Sequence, residues 1–303
     1  MHYLITGGTG FIGQPLCSRL LADQHRVTVL TRNVPRANAC LPEGAMAIDS
    51  LDDAGNVDVV INLAGENLTD RRWSDQRRQA FLDSRIGTTR RLNEWMAAQD
   101  SPPKVMVSGS AIGWYGARGD EKLTEESSPG DDFAATLCVA WEAEATKAEA
   151  LGVRVCLLRT GIVLAADGGA LEKMLPPFKF GLGGPMGDGK QWMSWITRHD
   201  LVRMIRWLAE TDSASGAYNG TAPHPVTNAE FASALAKALH RPAIIRTPAI
   251  ALKLMLGEMA GMLLTGQRVV PDRASSEGFR FDYPILIKAM SSTLTNSTPR
   301  ANF

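Results

Sequence analysis

The chain has 303 residues, and its 32 Lys+Arg balance 32 Asp+Glu, so its formal net charge at pH 7 is zero. Without a global field to recruit nucleic acid or an anionic membrane surface, a small molecule is the expected partner. Its cysteines, Cys17, Cys40, Cys138 and Cys156, fall in separate segments with no C-x-x-C pair, which argues against a zinc site or disulfide framework and for a reducing, cytoplasmic setting.

In chain order, His2 to Thr6 predicts a strand, Phe11 to Ala22 a helix, Arg26 to Thr31 a second strand and the β-branched run Asp58 to Leu63 a third. With Tyr3 already in a strand, no leader sequence is expected ahead of it. A helix from about Ser74 to Ala98, a strand at Lys104 to Ser108, a helix from about Ala134 to Leu151 and a strand at Val153 to Leu158 continue the alternation. This rhythm predicts an α/β fold, a doubly wound parallel sheet of the Rossmann type.

After Arg159 the glycines from Gly168 to Gly189, together with Pro176, Pro177 and Pro185, predict a segment poor in regular structure. Asp200 to Ala209 reads as a helix and Ala217 to Asn219 as a strand, followed by helices near Asn228 to Leu239, Ile250 to Leu263 and Pro284 to Ser292. The expected organisation is a dinucleotide-binding domain (1–165 plus about 196–220), a smaller, mostly helical lobe (about 166–195 plus 221–291) and a flexible tail at 292–303. The apolar stretch Ile250 to Leu264 is interrupted by Lys253 and Glu258 and falls short of the ~18 uncharged residues a membrane span needs. Its Met255, Met259 and Met262 recur at helical spacing, which suits lobe core or a dimer contact and leaves monomer and homodimer both open.

Directly after the first strand stands Thr6-Gly-Gly-Thr-Gly-Phe-Ile-Gly13. Gly7, Gly10 and Gly13 are spaced for a tight turn, close phosphate approach and helix-on-sheet packing, with Thr9, Phe11 and Ile12 between them. A diphosphate would rest on the N–H groups opening the following helix, where the helix dipole favours negative charge. The second strand ends Leu30-Thr31-Arg32-Asn33, without the carboxylate that holds the ribose hydroxyls of NAD. Arg32 can fork onto a 2′-phosphate and Thr31 can add a hydroxyl, which selects NADP (NADPH).

The third strand ends in Asn62-Leu-Ala-Gly65, where the small residues Leu63, Ala64 and Gly65 would let a nucleotide pass close to the backbone. On the next helix Phe81, Arg85, Thr88 and Leu92 share a face, so Arg85 sits in an apolar stripe and needs an anion. Cofactor phosphate and Asp58 are the two candidates. Arg71, Arg72, Arg77 and Arg78 read as a solvated face.

These motifs, together with Ser108-Gly-Ser-Ala-Ile-Gly-Trp-Tyr-Gly116, resemble the extended short-chain dehydrogenase/reductase superfamily. Four further stretches narrow the likeness: Leu158-Arg-Thr-Gly-Ile-Val-Leu164, Phe178-Lys-Phe-Gly-Leu-Gly-Gly-Pro185, Gly189-Lys-Gln-Trp-Met-Ser-Trp-Ile196 and Pro223-His-Pro-Val-Thr-Asn-Ala-Glu-Phe231. They resemble NAD(P)-dependent epimerase-family proteins of the YfcH type, which carry an extra C-terminal domain, and the resemblance covers essentially residues 1–290. It implies cofactor contacts at Ser108 as well as at the residues above, and a serine at Ser110.

The superfamily also implies a Tyr-x-x-x-Lys pair, in which lysine lowers the tyrosine pKa. Here Leu137 and Trp141 occupy those positions, and neither exchanges a proton near neutral pH. Ser110 and Tyr115 remain as catalytic candidates, and no metal is expected, since His224 between its two prolines has no ligand partner at recognisable spacing. Glu66, Lys190, Gln191, His199 and Asp200 border the inferred cleft with duller explanations, Asp200 as a helix cap or first-turn charge. Two functions follow. One is an NADP-dependent oxidoreductase or epimerase-like enzyme acting on a nucleotide sugar or carbonyl compound. The other is a non-catalytic NADP-binding redox sensor or regulator.

Overall fold

The structure, a computed structural model, describes residues 1–68 and 73–295. Seven parallel strands form the central sheet: β1 (His2–Thr6), β2 (Arg26–Leu30), β3 (Met46–Ile48), β4 (Val59–Asn62), β5 (Val105–Ala111), β6 (Arg154–Thr160) and β7 (Gly216–Gly220). Their spatial order is β3-β2-β1-β4-β5-β6-β7, so the direction of winding reverses between β1 and β4. The register sets Thr6 level with Leu30 and Asn62, and Asn62 level with Ser108, which gathers the strand ends that matter along one edge.

Alternation along the strands divides the core into two layers. Tyr3, Ile5, Val27, Val29, Ile61 and Val107 meet α1 (Gly13–Ala22) through Leu16, Cys17 and Leu20, while the later helix Arg198–Glu210 joins the same layer through Leu201, Ile205 and Leu208. Leu4, Val60, Met106 and Val155 point the other way, onto Leu92, Trp95, Met96 and Ala145. After the short α2 (Val34–Asn38), those residues lie on α4 (Thr88–Ala97), which follows α3 (Asp75–Leu82), and on α5 (Phe133–Thr146).

The predicted helix from Ser74 to Ala98 contains one irregularity, a π-helical turn at Asp83–Gly87 between α3 and α4. A π turn advances the helical phase by one residue. Thr89, not Thr88, therefore follows Arg85 on the inner face, and Thr89 is fully buried. The first helix starts at Gly13 rather than Phe11, because residues 9–12 form the turn that bends the chain over the sheet edge.

The segment predicted to lack regular structure contains α6 (Gly169–Lys179). Its Pro176 and Pro177 stand in the C-terminal half, and Leu171, Leu175 and Phe178 form an apolar stripe that holds the helix to the lobe core. Two further helices, α7 (Arg198–Glu210) and α8 (Asn228–Ala238), follow. The predicted Ile250–Leu263 helix is broken at Gly257, φ +61°, into α9 (Ala249–Leu256) and α10 (Ala260–Leu264). Met255 and Met262 are exposed there and Met259 is buried. After α11 (Asp272–Ser276), α12 (Leu286–Thr295) packs Leu286, Ala289 and Met290 against Phe231 and Leu235 of α8. Residues 292–295, expected in the flexible tail, are helical because Leu294 continues that apolar face. The remainder of the tail, 296–303, lies outside the described residues. No helix among the described residues is long and apolar enough to cross a membrane.

Candidate cofactor site

The turn after β1 shows three glycines with three different reasons. Gly7 has φ +72°, and a Cβ there would lie 2.7 Å from the Leu63 carbonyl oxygen. A Cβ on Gly13 would stand 2.2 Å from the Gly7 oxygen, so this glycine serves helix-on-loop packing. Gly10 is exposed and meets only the Gly7 oxygen, at 3.1 Å, leaving open space above it. The N–H groups of Phe11 and Ile12 donate to no acceptor among the described residues, and a recess of about 370 Å³ opens beside them, lined in part by Thr9, Gly10 and Gln14. Free amides above a glycine cradle fit a diphosphate. The Phe11 ring takes no part in this. It packs against Gly168 and Gly169 with Arg198 4.8 Å from its centroid, so only its backbone faces the cradle.

At the end of β2, Thr31 is pinned by its N–H to the Ile48 carbonyl (2.8 Å), and its hydroxyl accepts from Asn33 N–H (3.3 Å). Arg32 is exposed, and no hydrogen bond or ion pair engages its guanidinium among the described residues. Asn33 caps α2 by accepting from Arg36 N–H at 2.9 Å. The guanidinium of Arg36 is likewise unpaired among the described residues, a second cation that the sequence analysis did not single out.

The β4 end is built around Asn62, fully buried. It accepts from the Thr6 hydroxyl (2.7 Å) and donates to Thr89 (2.8 Å) and Ser108 (3.4 Å). Leu63 N–H donates to the Thr6 carbonyl and Ala64 N–H to the Thr6 hydroxyl. The Ser108 side chain has no exposed surface. Gly65 lies against Arg85: a Cβ there would stand 3.0 Å from the guanidinium carbon. Arg85 donates to the backbone oxygens of Glu66 (3.1 Å) and Phe81 (3.4 Å) and lies 5.3 Å from the Trp141 ring centroid. Burial lowers its pKa. Asp58, expected as a possible partner, instead accepts from His2 N–H at 2.7 Å, at the opposite end of the strands.

Beneath the β5 end lies a closed polar network. Arg159 and Glu142, each 4% exposed, form a two-pronged pair with both N···O distances 2.9 Å. Ser110 donates to Glu142 at 2.6 Å, and Arg159 donates to the Tyr115 hydroxyl at 3.1 Å. Tyr115 in turn donates to Asn219 at 2.7 Å, and Asn219 N–H donates to Glu125 at 2.9 Å. Burial works against the Arg159 charge, and its bonds to Glu142 more than offset that, so its pKa stands above the ordinary arginine value. Burial raises the pKa of Tyr115, which has no exposed surface. Ser110 and Tyr115 are thus brought together, but with their protons committed to Glu142 and Asn219 rather than to an open cleft. Glu142 and Arg159 were not singled out in the sequence, although Arg159 is the lone charge between Val155 and Ala166; Glu142 has Glu144 two residues on and so does not stand out.

The remaining candidates have structural partners. Glu66 pairs with Arg77 at 2.7 Å, and Arg78 pairs with Glu258, so two of the four arginines read as a solvated face tie elements together instead. Arg71 and Arg72 lie outside the described residues. The Gln191 side-chain amide donates to the Met186 and Leu263 carbonyls, Lys190 N–H bonds Asp188, and the His224 side chain is exposed. His199 pairs with Asp282 at 2.7 Å. Asp200 is fully buried, accepting from Asp282 N–H, Tyr283 N–H and Arg203, all at 2.9 Å. Arg203 bridges Asp200 and Asp282, so these acids and His199 form an ion-pair cluster. A groove of about 1080 Å³ runs between α1, α7 and residues 278–283, away from the β4 and β5 ends.

The sheet order and the glycine turn after β1 define a Rossmann domain of the short-chain dehydrogenase/reductase kind. The chain belongs to the NAD dependent epimerase/dehydratase family, whose profile matches residues 3–219, and a domain of unknown function, DUF1731, matches residues 247–293. It is similar to the epimerase family protein YfhF of Bacillus subtilis (strain 168), 38% identical over 304 residues, which cover 98% of this chain and 99% of that protein. The epimerase family protein ML0860 of Mycobacterium leprae is 40% identical over 297 residues, 96% of this chain and 95% of its own. The crystal structure of the human epimerase family protein SDR39U1 (isoform2) with NADPH superposes with a TM-score of 0.89 at 36% identity, covering 98% of this chain and 100% of that one.

Proposed function

We propose that the protein binds NADP(H) along the C-terminal edge of the sheet and acts as an oxidoreductase or epimerase-like enzyme on a small molecule, a nucleotide sugar or carbonyl compound. The observation that carries this reading is the exposed, unpaired Arg32 guanidinium where a carboxylate would select NAD. NADPH in the human relative's structure supports it. The amides of Phe11 and Ile12 above Gly10 would hold the diphosphate, and Thr31, Arg32 and Arg36 the 2′-phosphate. The backbone at Leu63, Ala64 and Gly65, with Ser108 level with Asn62 below it, would floor the nicotinamide side. Once bound, the cofactor supplies the hydride, and the protein supplies position and a dry site.

A second reading, a non-catalytic NADP(H)-binding sensor or regulator, is favoured by a different observation: the Ser110 and Tyr115 hydroxyls are both spent inside the buried network. Calorimetric titration of NADPH and NADH against wild type and Arg32→Ala tests the cofactor. Wild type should prefer NADPH, and the variant should lose about tenfold or more of that preference, the worth of one charge-assisted contact. Equal preference in both proteins refutes the 2′-phosphate site. Substrate-dependent NADPH oxidation with carbonyl compounds, or conversion of a nucleotide sugar to its epimer with NADP⁺ and no net change of the cofactor, supports the enzyme. Tight binding with no turnover across the panel supports the sensor.

A further inference from the structure

The sheet divides the cofactor edge into two halves. Winding reverses between β1 and β4, so a dinucleotide whose diphosphate sits on the turn after β1 extends its adenosine half over β2 and its nicotinamide half over β4 and β5. The nicotinamide half is where the superfamily's lysine is missing and Trp141 stands instead. The Trp141 ring covers Gly109 of β5, where a Cβ would lie 3.1 Å from it, and its indole N–H donates to Thr89 at 3.1 Å. Thr89 is locked in turn by Asn62 and by the Arg85 carbonyl (2.7 Å). The indole is therefore a fixed platform.

Over that platform lies Arg85, delivered by the π turn and pressed flat on Gly65 just after β4. Its protein acceptors are two backbone oxygens, which leave further guanidinium donors to spare. No carboxylate comes within 4.0 Å of it among the described residues, and the acid closest in sequence to its contacts, Glu66, pairs with Arg77 instead. A half-buried cation whose neighbouring acid, Glu66, is already paired with another arginine is an incomplete arrangement. A structural arginine would have been closed off, as Arg159 is by Glu142.

We propose that Arg85 replaces the missing lysine, its guanidinium binding the nicotinamide-side ribose and phosphate of NADP(H) with Trp141 as its platform. This rests on the cofactor reading above and goes beyond it by dividing the site between two arginines. Arg32 grips the adenosine end, and Arg85 grips the reacting end.

The test titrates NADPH and 2′,5′-ADP, which carries the adenosine half alone, against wild type, Arg85→Gln, Arg85→Lys and Arg32→Ala, with the melting temperature of each free protein recorded. Arg85→Gln should weaken NADPH about tenfold or more and leave 2′,5′-ADP within about twofold of wild type. Arg85→Lys should recover part of the loss, and Arg32→Ala should weaken both ligands. Should Arg85→Gln fail to fold, Arg85→Lys alone decides, since it keeps the charge but loses the fork and must show the same NADPH-only weakening. Unchanged NADPH affinity in the variants, or equal losses for both ligands, overturns the proposal. A wild-type chain that binds neither ligand overturns the cofactor reading and this assignment with it.

Discussion

Replacing Arg159 by methionine removes the positive half of the Arg159–Glu142 pair while keeping an unbranched apolar stem, shorter by the guanidinium head. In the native protein the guanidinium makes two bonds to Glu142 at 2.9 Å, one to Tyr115 at 3.1 Å and one to the Glu125 carbonyl at 3.2 Å, with the Trp114 ring centroid 3.8 Å away. In the variant Glu142, 4% exposed, keeps only the Ser110 proton as a partner from this group. Leaving one buried charge of a pair uncompensated costs about 3–5 kcal/mol. Urea denaturation followed by circular dichroism should show that loss, and about 0.5 M added salt should change it little, because buried charges are screened weakly. The double variant Arg159→Met/Glu142→Leu should be more stable than Arg159→Met alone, since no orphaned carboxylate remains. A cost below about 1 kcal/mol, or a double variant less stable than the single, refutes the account.

Gly10→Ala should abolish NADPH binding with little change in melting temperature, since the added Cβ meets only the Gly7 oxygen at 3.1 Å, whereas Gly13→Ala, at 2.2 Å from that oxygen, should destabilise the free protein; differential scanning calorimetry with and without NADPH separates them, and equal melting losses contradict the distinction. Burial holds the pKa of His2 below the usual 6.5, its ring bonded to Asn56 and Thr28, so the folded state favours neutral imidazole. That stabilisation is present above the unfolded value and is lost as pH falls through the lowered folded one. Urea midpoints at about pH 7.5 and about pH 5 should differ less in His2→Gln than in wild type, and an unchanged slope counts against the assignment. Burial pushes the Cys138 thiol up to about 11 and the Cys156 thiol to about 11, while Cys40 is exposed. Iodoacetamide on the native protein should modify Cys40 first by peptide mass spectrometry, and early labelling of Cys138 would contradict its burial.

Six of the seven strands were legible as short runs bounded by turns and alternating with helical patterns, whereas β3 was not, because Met46–Ile48 is only three residues long with Met46 exposed. The glycine turn was legible for the same local reason, since strand, turn and helix are consecutive. What escaped is long-range or sits in local conflict with its surroundings. Pro176 and Pro177 signal a break, and only the Leu171, Leu175 and Phe178 stripe, holding to a lobe core assembled from distant segments, makes α6 a helix. The Glu142–Arg159 pair joins a helix to a strand, so neither residue's neighbours in sequence announce the other. Tyr115 looked free beside Ser110 because the residues that enclose it, Asn219 and Arg159, come from β7 and β6. Gly65 was read as making room for a ligand, and the contact it also makes with Arg85, twenty residues on, was not visible in the local pattern.

The π turn at Asp83–Gly87 amounts to one residue more than a regular helix needs. Deleting it would wind the upstream half of the helix round by about a third of a turn relative to the sheet, carrying Phe81 off its packing partners while Thr89 stayed in place. Insertions of this kind let a lineage re-aim one side chain at a ligand without redrawing the architecture. A single-codon deletion between Asp83 and Gly87 would thus be a far more drastic edit than most point substitutions nearby.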